Sequence, residues 1–93
     1  MNKIVTKEIL DIYDKYEGDF GLLDEPWASK KDRDKVSFEQ SKVLSEYIDL
    51  LQFVNVKNIS NEIKNKTKTR IEELECMIEN EVINILKERI KMN

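Results

Sequence analysis

The side chains that could do chemistry in this sequence are carboxylates and amines, with one thiol and no imidazole. Glu72, Glu75 and Glu79 recur at helical spacing and fall on one side of a helix, as do Glu8 and Asp11 nearer the N-terminus. Paired carboxylates can act as general acid and base, or hold hard cations through oxygen. Either use needs them to converge in a cleft, and a chain of 93 residues has little interior from which to build one. A calcium loop placed on Gly18 would put Tyr13 and Lys15 where carboxylates belong, so that motif fails. The expectation for these acids is a solvated helix face.

The absence of histidine excludes Ser-His-Asp and Cys-His nucleophile systems within one chain, together with the common zinc, iron and di-iron sites that need imidazole. Cys76 is the only cysteine, which excludes an internal disulfide and a Cys-x-x-Cys motif. Its neighbours Glu72, Glu73, Glu75 and Glu79 are the wrong surroundings for a nucleophilic thiolate. With two glycines, Gly18 and Gly21, there is no glycine-rich phosphate loop. No enzyme, no cofactor, no metal and no small-molecule substrate are expected.

Lys64, Lys66, Lys68 and Arg70 form the densest basic run. On a helix they divide into Lys64/Lys68 and Lys66/Arg70, on different faces, and do not make one stripe for tracking phosphates. Residues 30–70 carry a net charge of +4, against −4 for residues 1–29 and −3 for residues 71–93. A nucleic-acid-associated regulator using that central region, with those four side chains as contacts, is the alternative reading. The acidic flanks weigh against it.

All these groups must be positioned by helices. The two glycines and the single proline fall between residues 18 and 26, leaving the remainder free to be helical. A first helix is expected from Asn2 to Tyr16, with Val5, Ile9, Ile12, Tyr13 and Tyr16 on its apolar face and Gly18 as its cap. Residues 17–35 read as a partly structured connector, with a short helix over Pro26–Arg33 and with Phe20, Leu22, Leu23 and Trp27 tying it to the core. Ser37 and Gln40 form a capping box for a second helix, whose stripe is Val43, Leu44, Tyr47, Ile48, Leu51 and Val54. A third helix is expected from a Ser60 cap to Lys91, about 45 Å long. Its core line is Ile63, Thr67, Ile71, Leu74, Ile78, Val82 and Ile85, which contains the 11-residue repeat Ile63–Leu74–Ile85 of a nearly straight helix.

The fold class is therefore all-α: a small three-helix bundle with a connector over 17–35 and a long C-terminal helix, in a single domain spanning 1–93. That helix would overhang its neighbours and carry a second apolar face along Cys76, Ile83, Leu86 and Ile90. Such a face is either covered within the same chain, by the first helix or the Trp27 segment, or left as a homodimer seam or a docking site for a partner helix. Trp27 and Phe20 add anchor residues of the type enriched in interfaces.

The start of the sequence has no signal-like apolar stretch, and no apolar run is long enough to cross a membrane, so a cytoplasmic setting is expected. Thirteen lysines against three arginines, with eleven isoleucines and eight asparagines, suggest an AT-rich bacterial or phage genome. The functional expectation is a small interaction module resembling an inhibitor, immunity protein or adaptor. It would act by stoichiometric binding of a protein, or of a second copy, through a helix surface.

Overall fold

The computed structural model describes residues 3–15, 29–55 and 58–91. Phe20 and Trp27, the proline at 26 and most of the connector lie outside the described residues. Among the described residues there are five helices: α1 (Lys7–Lys15), α2 (Lys30–Lys35), α3 (Phe38–Val54), α4 (Asn61–Glu75) and α5 (Asn80–Lys91). The all-α class holds. Three of the expected boundaries do not.

The clearest match is α3. Ser37 Oγ accepts from the Gln40 amide at 3.1 Å, and the Gln40 side chain accepts from the Ser37 amide at 3.0 Å. This closes the capping box and fixes the first turn. Ser60 caps α4 in the same way, accepting from the Ile63 amide at 3.2 Å. Between α3 and α4, Asn58 takes the left-handed conformation, with φ at 78°. Asparagine tolerates that region better than most residues. The two helices form an antiparallel hairpin, across which Glu46 reaches Arg70 and Tyr47 reaches Glu75.

The short connector helix sits later than expected, because Ser29 is its cap, accepting from the Asp32 amide at 3.0 Å. Two ion pairs, Lys15–Asp32 and Lys35–Glu8, join α2 to α1.

The first helix begins at Lys7 instead of Asn2. Residues 3–6 are an extended strap whose backbone bonds to the chain near residue 78. The Ile4 and Val5 amides donate to the Met77 carbonyl at 3.0 and 3.3 Å, and the Glu79 amide donates to the Val5 carbonyl at 3.2 Å. Val5 and Ile78 pair as an isolated parallel bridge, and both are fully buried. Lys3 Nζ donates to the Cys76 carbonyl at 2.9 Å. Gln40 Nε2 donates to the Ile4 carbonyl.

That strap lies against a break in what the sequence predicts as one C-terminal helix. Residues 76–79 separate α4 from α5, so the overhanging 30-residue helix does not exist. The Lys87 ammonium sits 3.0 Å from Glu75 Oε2. In a straight helix those residues would stand about 18 Å apart, beyond side-chain reach. α5 therefore folds back to pack on α1 and α3. Arg89 clamps it to α1 with two bonds to the Asp14 carboxylate at 2.7 and 2.8 Å.

One core results: Val5 and Leu10 from the N-terminal segment, Leu44, Tyr47 and Leu51 from α3, Ile71 and Leu74 from α4, Ile78 from the break, and Val82, Ile83 and Leu86 from α5. Ile63 leaves the expected line: it is 48% exposed on the first turn of α4. Leu10, absent from the expected apolar face, is buried.

Candidate partner-docking groove

Fold-back of α5 changes the fate of the surface that the sequence marked for a partner. Ile83 and Leu86 are buried in the chain's own core, and Ile90 packs against it. Cys76, seven residues before Ile83, is instead exposed at the break, its Sγ 3.5 Å from the Glu72 carbonyl. The four residues make no continuous outer face, because the turn at 76–79 takes Cys76 out of line with the other three. A long helix would have left that face over; here α1 and α3 cover it.

The basic run is also divided. Arg70 forms a bidentate pair with Glu46, Nε to Oε2 at 2.7 Å and Nη2 to Oε1 at 3.0 Å, and a third bond to Glu73 at 3.1 Å. Hydrogen bonding to Arg70, outweighing partial desolvation, holds the Glu46 carboxyl below its ordinary value. Lys66 pairs with Glu62 one turn back, whereas Lys68 is exposed and Lys64 half-buried. Half of the cluster is thus matched by carboxylates on its own or the adjacent helix.

Of the expected acidic faces, Glu72 and Asp11 are exposed as a solvated face requires, while Glu8 and Glu75 reach other helices. Glu8 meets Lys35, and Glu75 accepts from the Tyr47 hydroxyl at 2.7 Å as well as pairing with Lys87. Burial of the ring, then this hydrogen bond, pushes the Tyr47 phenol pKa far upward. Among the described residues no three of Cys, Asp or Glu come together as a metal-binding set, and no helix is long and apolar enough to cross a membrane.

A different surface combines apolar exposure with concavity. The capping box sets Phe38 as the first residue of α3, and at 100° per residue it points about 180° away from the buried Tyr47. Its side chain is 72% exposed, the most exposed large apolar residue among those described. Phe38 stands at the edge of a groove of about 480 Å³, whose floor is Ile4 from the strap, Val43 from α3 and Met77 from the break. Glu39, Lys42, Glu46 and Arg70 supply the charged lining. The Lys42 ammonium lies 5.9 Å from the centre of the Phe38 ring, a cation–π contact of about 0.5–1 kcal/mol at an exposed site.

The groove's parts come from three places in the sequence and are held together by a short set of bonds. Gln40 pins Ile4, the strap pins Met77, and Glu46 and Glu73 hold Arg70. Reasoning from sequence missed it. The available signal was Phe38 itself, an aromatic residue opposite the apolar stripe of its helix.

The chain matches no protein-family model, no curated protein and no solved structure. The groove's own chemistry therefore has to supply the functional reading. It offers apolar contact, one aromatic edge and a ring of both charges, with no nucleophile paired to a base and no cluster aimed at a phosphate.

Proposed function

We propose that the protein is a small interaction module that binds another protein stoichiometrically through the Phe38 groove and carries out no chemical step of its own. The observation that carries this reading is the 72% exposure of Phe38 beside half-buried Ile4, Val43 and Met77. An exposed phenylalanine over a concave apolar floor is the arrangement expected of an interface anchor awaiting cover. The occupant would present an apolar anchor flanked by charged groups that complement Glu39, Lys42 and Arg70. Masking a partner's surface in this way suits an inhibitor, an immunity-type protein or an adaptor. A cytoplasmic setting goes with this reading, supported by a composition holding one cysteine.

A photo-crosslinking amino acid placed at position 38, with the exposed Asn61 as the control position, tests the proposal in cells of the source organism. One specific adduct from position 38 and none from 61, lost when Lys42 and Val43 are changed to Glu, is the expected result. Absence of any adduct specific to position 38 would overturn it. A second copy as occupant would appear as a concentration-dependent dimer in light scattering that Phe38→Asp abolishes. Retention on heparin at low salt, falling steeply as salt rises, would favour the nucleic-acid reading instead.

A further inference from the structure

We infer that residues 3–6 are a latch that holds the α4–α5 break open, and that its release lets the two helices join into one straight helix. The inference concerns the fold and stands apart from what occupies the groove.

The break has no local cause. From Leu74 to Val82 the sequence contains neither glycine nor proline, and Ile71, Leu74, Ile78 and Val82 follow one another at gaps of three, four and four. That is the spacing of a single uninterrupted helical stripe. Kinks and stops in helices have identifiable sources, and the usual ones are absent here.

The backbone shows what takes their place. In a continuous helix the Cys76 carbonyl would accept from the Asn80 amide, the Met77 carbonyl from the Glu81 amide, and the Glu79 amide would donate to the Glu75 carbonyl. In the structure all three groups are redirected to the strap. The Cys76 carbonyl takes Lys3 Nζ, the Met77 carbonyl takes the Ile4 and Val5 amides, and the Glu79 amide goes to the Val5 carbonyl. The strap thus substitutes, group for group, for the missing turn of helix. Removing it leaves these three backbone groups without their partners, and the nearest repair is the turn that the sequence already favours.

Two arrangements of the same segment therefore each give the Cys76 and Met77 carbonyls and the Glu79 amide a partner. In the bent one, Val5 and Ile78 bury each other, and Glu75 meets Lys87 and Tyr47. In the straight one, Glu75 and Lys87 separate, and Cys76, Ile83 and Ile90 align at seven-residue intervals along one side. A two-state element of this kind is biased by whatever competes for the strap.

The test uses spin labels at the exposed positions Thr69 and Glu88 (T69C and E88C on a C76S background), read by pulsed electron spin resonance. The bent chain gives a short separation, and a straight helix gives about 28 Å between these sites. A chain starting at Thr6 is expected to move to the long distance and return on addition of a peptide of residues 1–8. Val5→Ala, which keeps the backbone bonds and a folded chain, is expected to raise the long-distance population several-fold. Amide exchange at Asn80 and Glu81 should slow in step, since both gain carbonyl partners. Unchanged distances in both variants would overturn the inference, because α5 packing alone would then set the break. Loss of helicity without any long-distance population in Val5→Ala would overturn it too, reducing the strap to an ordinary part of the core.

Discussion

Tyr47→Phe isolates one hydrogen bond at the centre of the fold. The ring is fully buried, and its hydroxyl donates to Glu75 Oε2 at 2.7 Å. Phenylalanine fills the same space, so no cavity term enters. Glu75 keeps Lys87 at 3.0 Å, so the carboxylate is not left unpaired. What remains is a hydrogen bond to a charged acceptor, worth roughly 1.5–3 kcal/mol. The Glu75 side chain is 23% exposed and recovers some hydration, which favours the low end, about 1.5 kcal/mol. For a domain of this size that corresponds to a fall in Tm of about 6–12 °C. Urea unfolding of the variant and of Glu75→Ala, alone and together, closes a double-mutant cycle whose coupling should approach that value. Coupling below about 0.3 kcal/mol would refute the reasoning, because the bond would then add nothing to packing. The phenol supplies a second check. Its pKa is raised in the folded state, so its contribution to stability is complete below the ordinary value of 10.0 and is lost as pH climbs above it. Spectrophotometric titration should show Tyr47 ionising only as the chain unfolds.

Ser41 is buried, and among the described residues its hydroxyl has no hydrogen-bond partner. Ser41→Ala should therefore stabilise by about 0.5–1.5 kcal/mol, as urea midpoints would report, combining relief of desolvation with better helix propensity. Glu46 has a depressed carboxyl, so its stabilising effect is complete above its ordinary value of 4.5 and is lost as pH falls toward the lower folded value. The stability gap between wild type and Glu46→Gln, measured by thermal melts across pH, should accordingly be widest near neutrality and close in acid. Leu74 is fully buried, and Leu74→Ala should cost about 2–5 kcal/mol by calorimetry, enough to unfold a marginal domain. Phe38→Ala should cost no more than about 1 kcal/mol in the same assay, the size of its contact with Lys42, since most of its surface is already in water.

What the sequence disclosed follows from how locally each feature is determined. The caps at Ser37 and Ser60 are contacts over three residues, and both were readable. The apolar stripe of α3 was readable for the same reason: Leu44, Tyr47 and Leu51 are buried as their spacing requires. The α4–α5 break was not readable, since its cause is a segment more than seventy positions away bonding to the Cys76 and Met77 carbonyls. From that one omission came the misplaced start of the first helix and the surplus apolar face along Ile83 and Leu86. The groove was hidden for a related reason. Ile4, Val43 and Met77 are unremarkable singly, and only the strap brings the first and last of them to the side of α3.

The span of these contacts also orders events in time. The α3–α4 hairpin closes over short stretches of chain, 24 residues for Arg70 and Glu46. Lys3 must find Cys76 across 73 positions, and Asp14 must find Arg89 across 75. Closing the longer loops costs more entropy and rewards the chain only after their far ends exist. During synthesis the strap and α1, made before the segments they contact, are thus the last of the described elements to dock. Val5, Ile9 and Leu10 stay exposed on the nascent chain until the segment around Ile78 and α5 has left the ribosome. Until then the apolar side chains of the strap and α1 are open to other incompletely folded chains, the kind of exposure through which nascent chains aggregate.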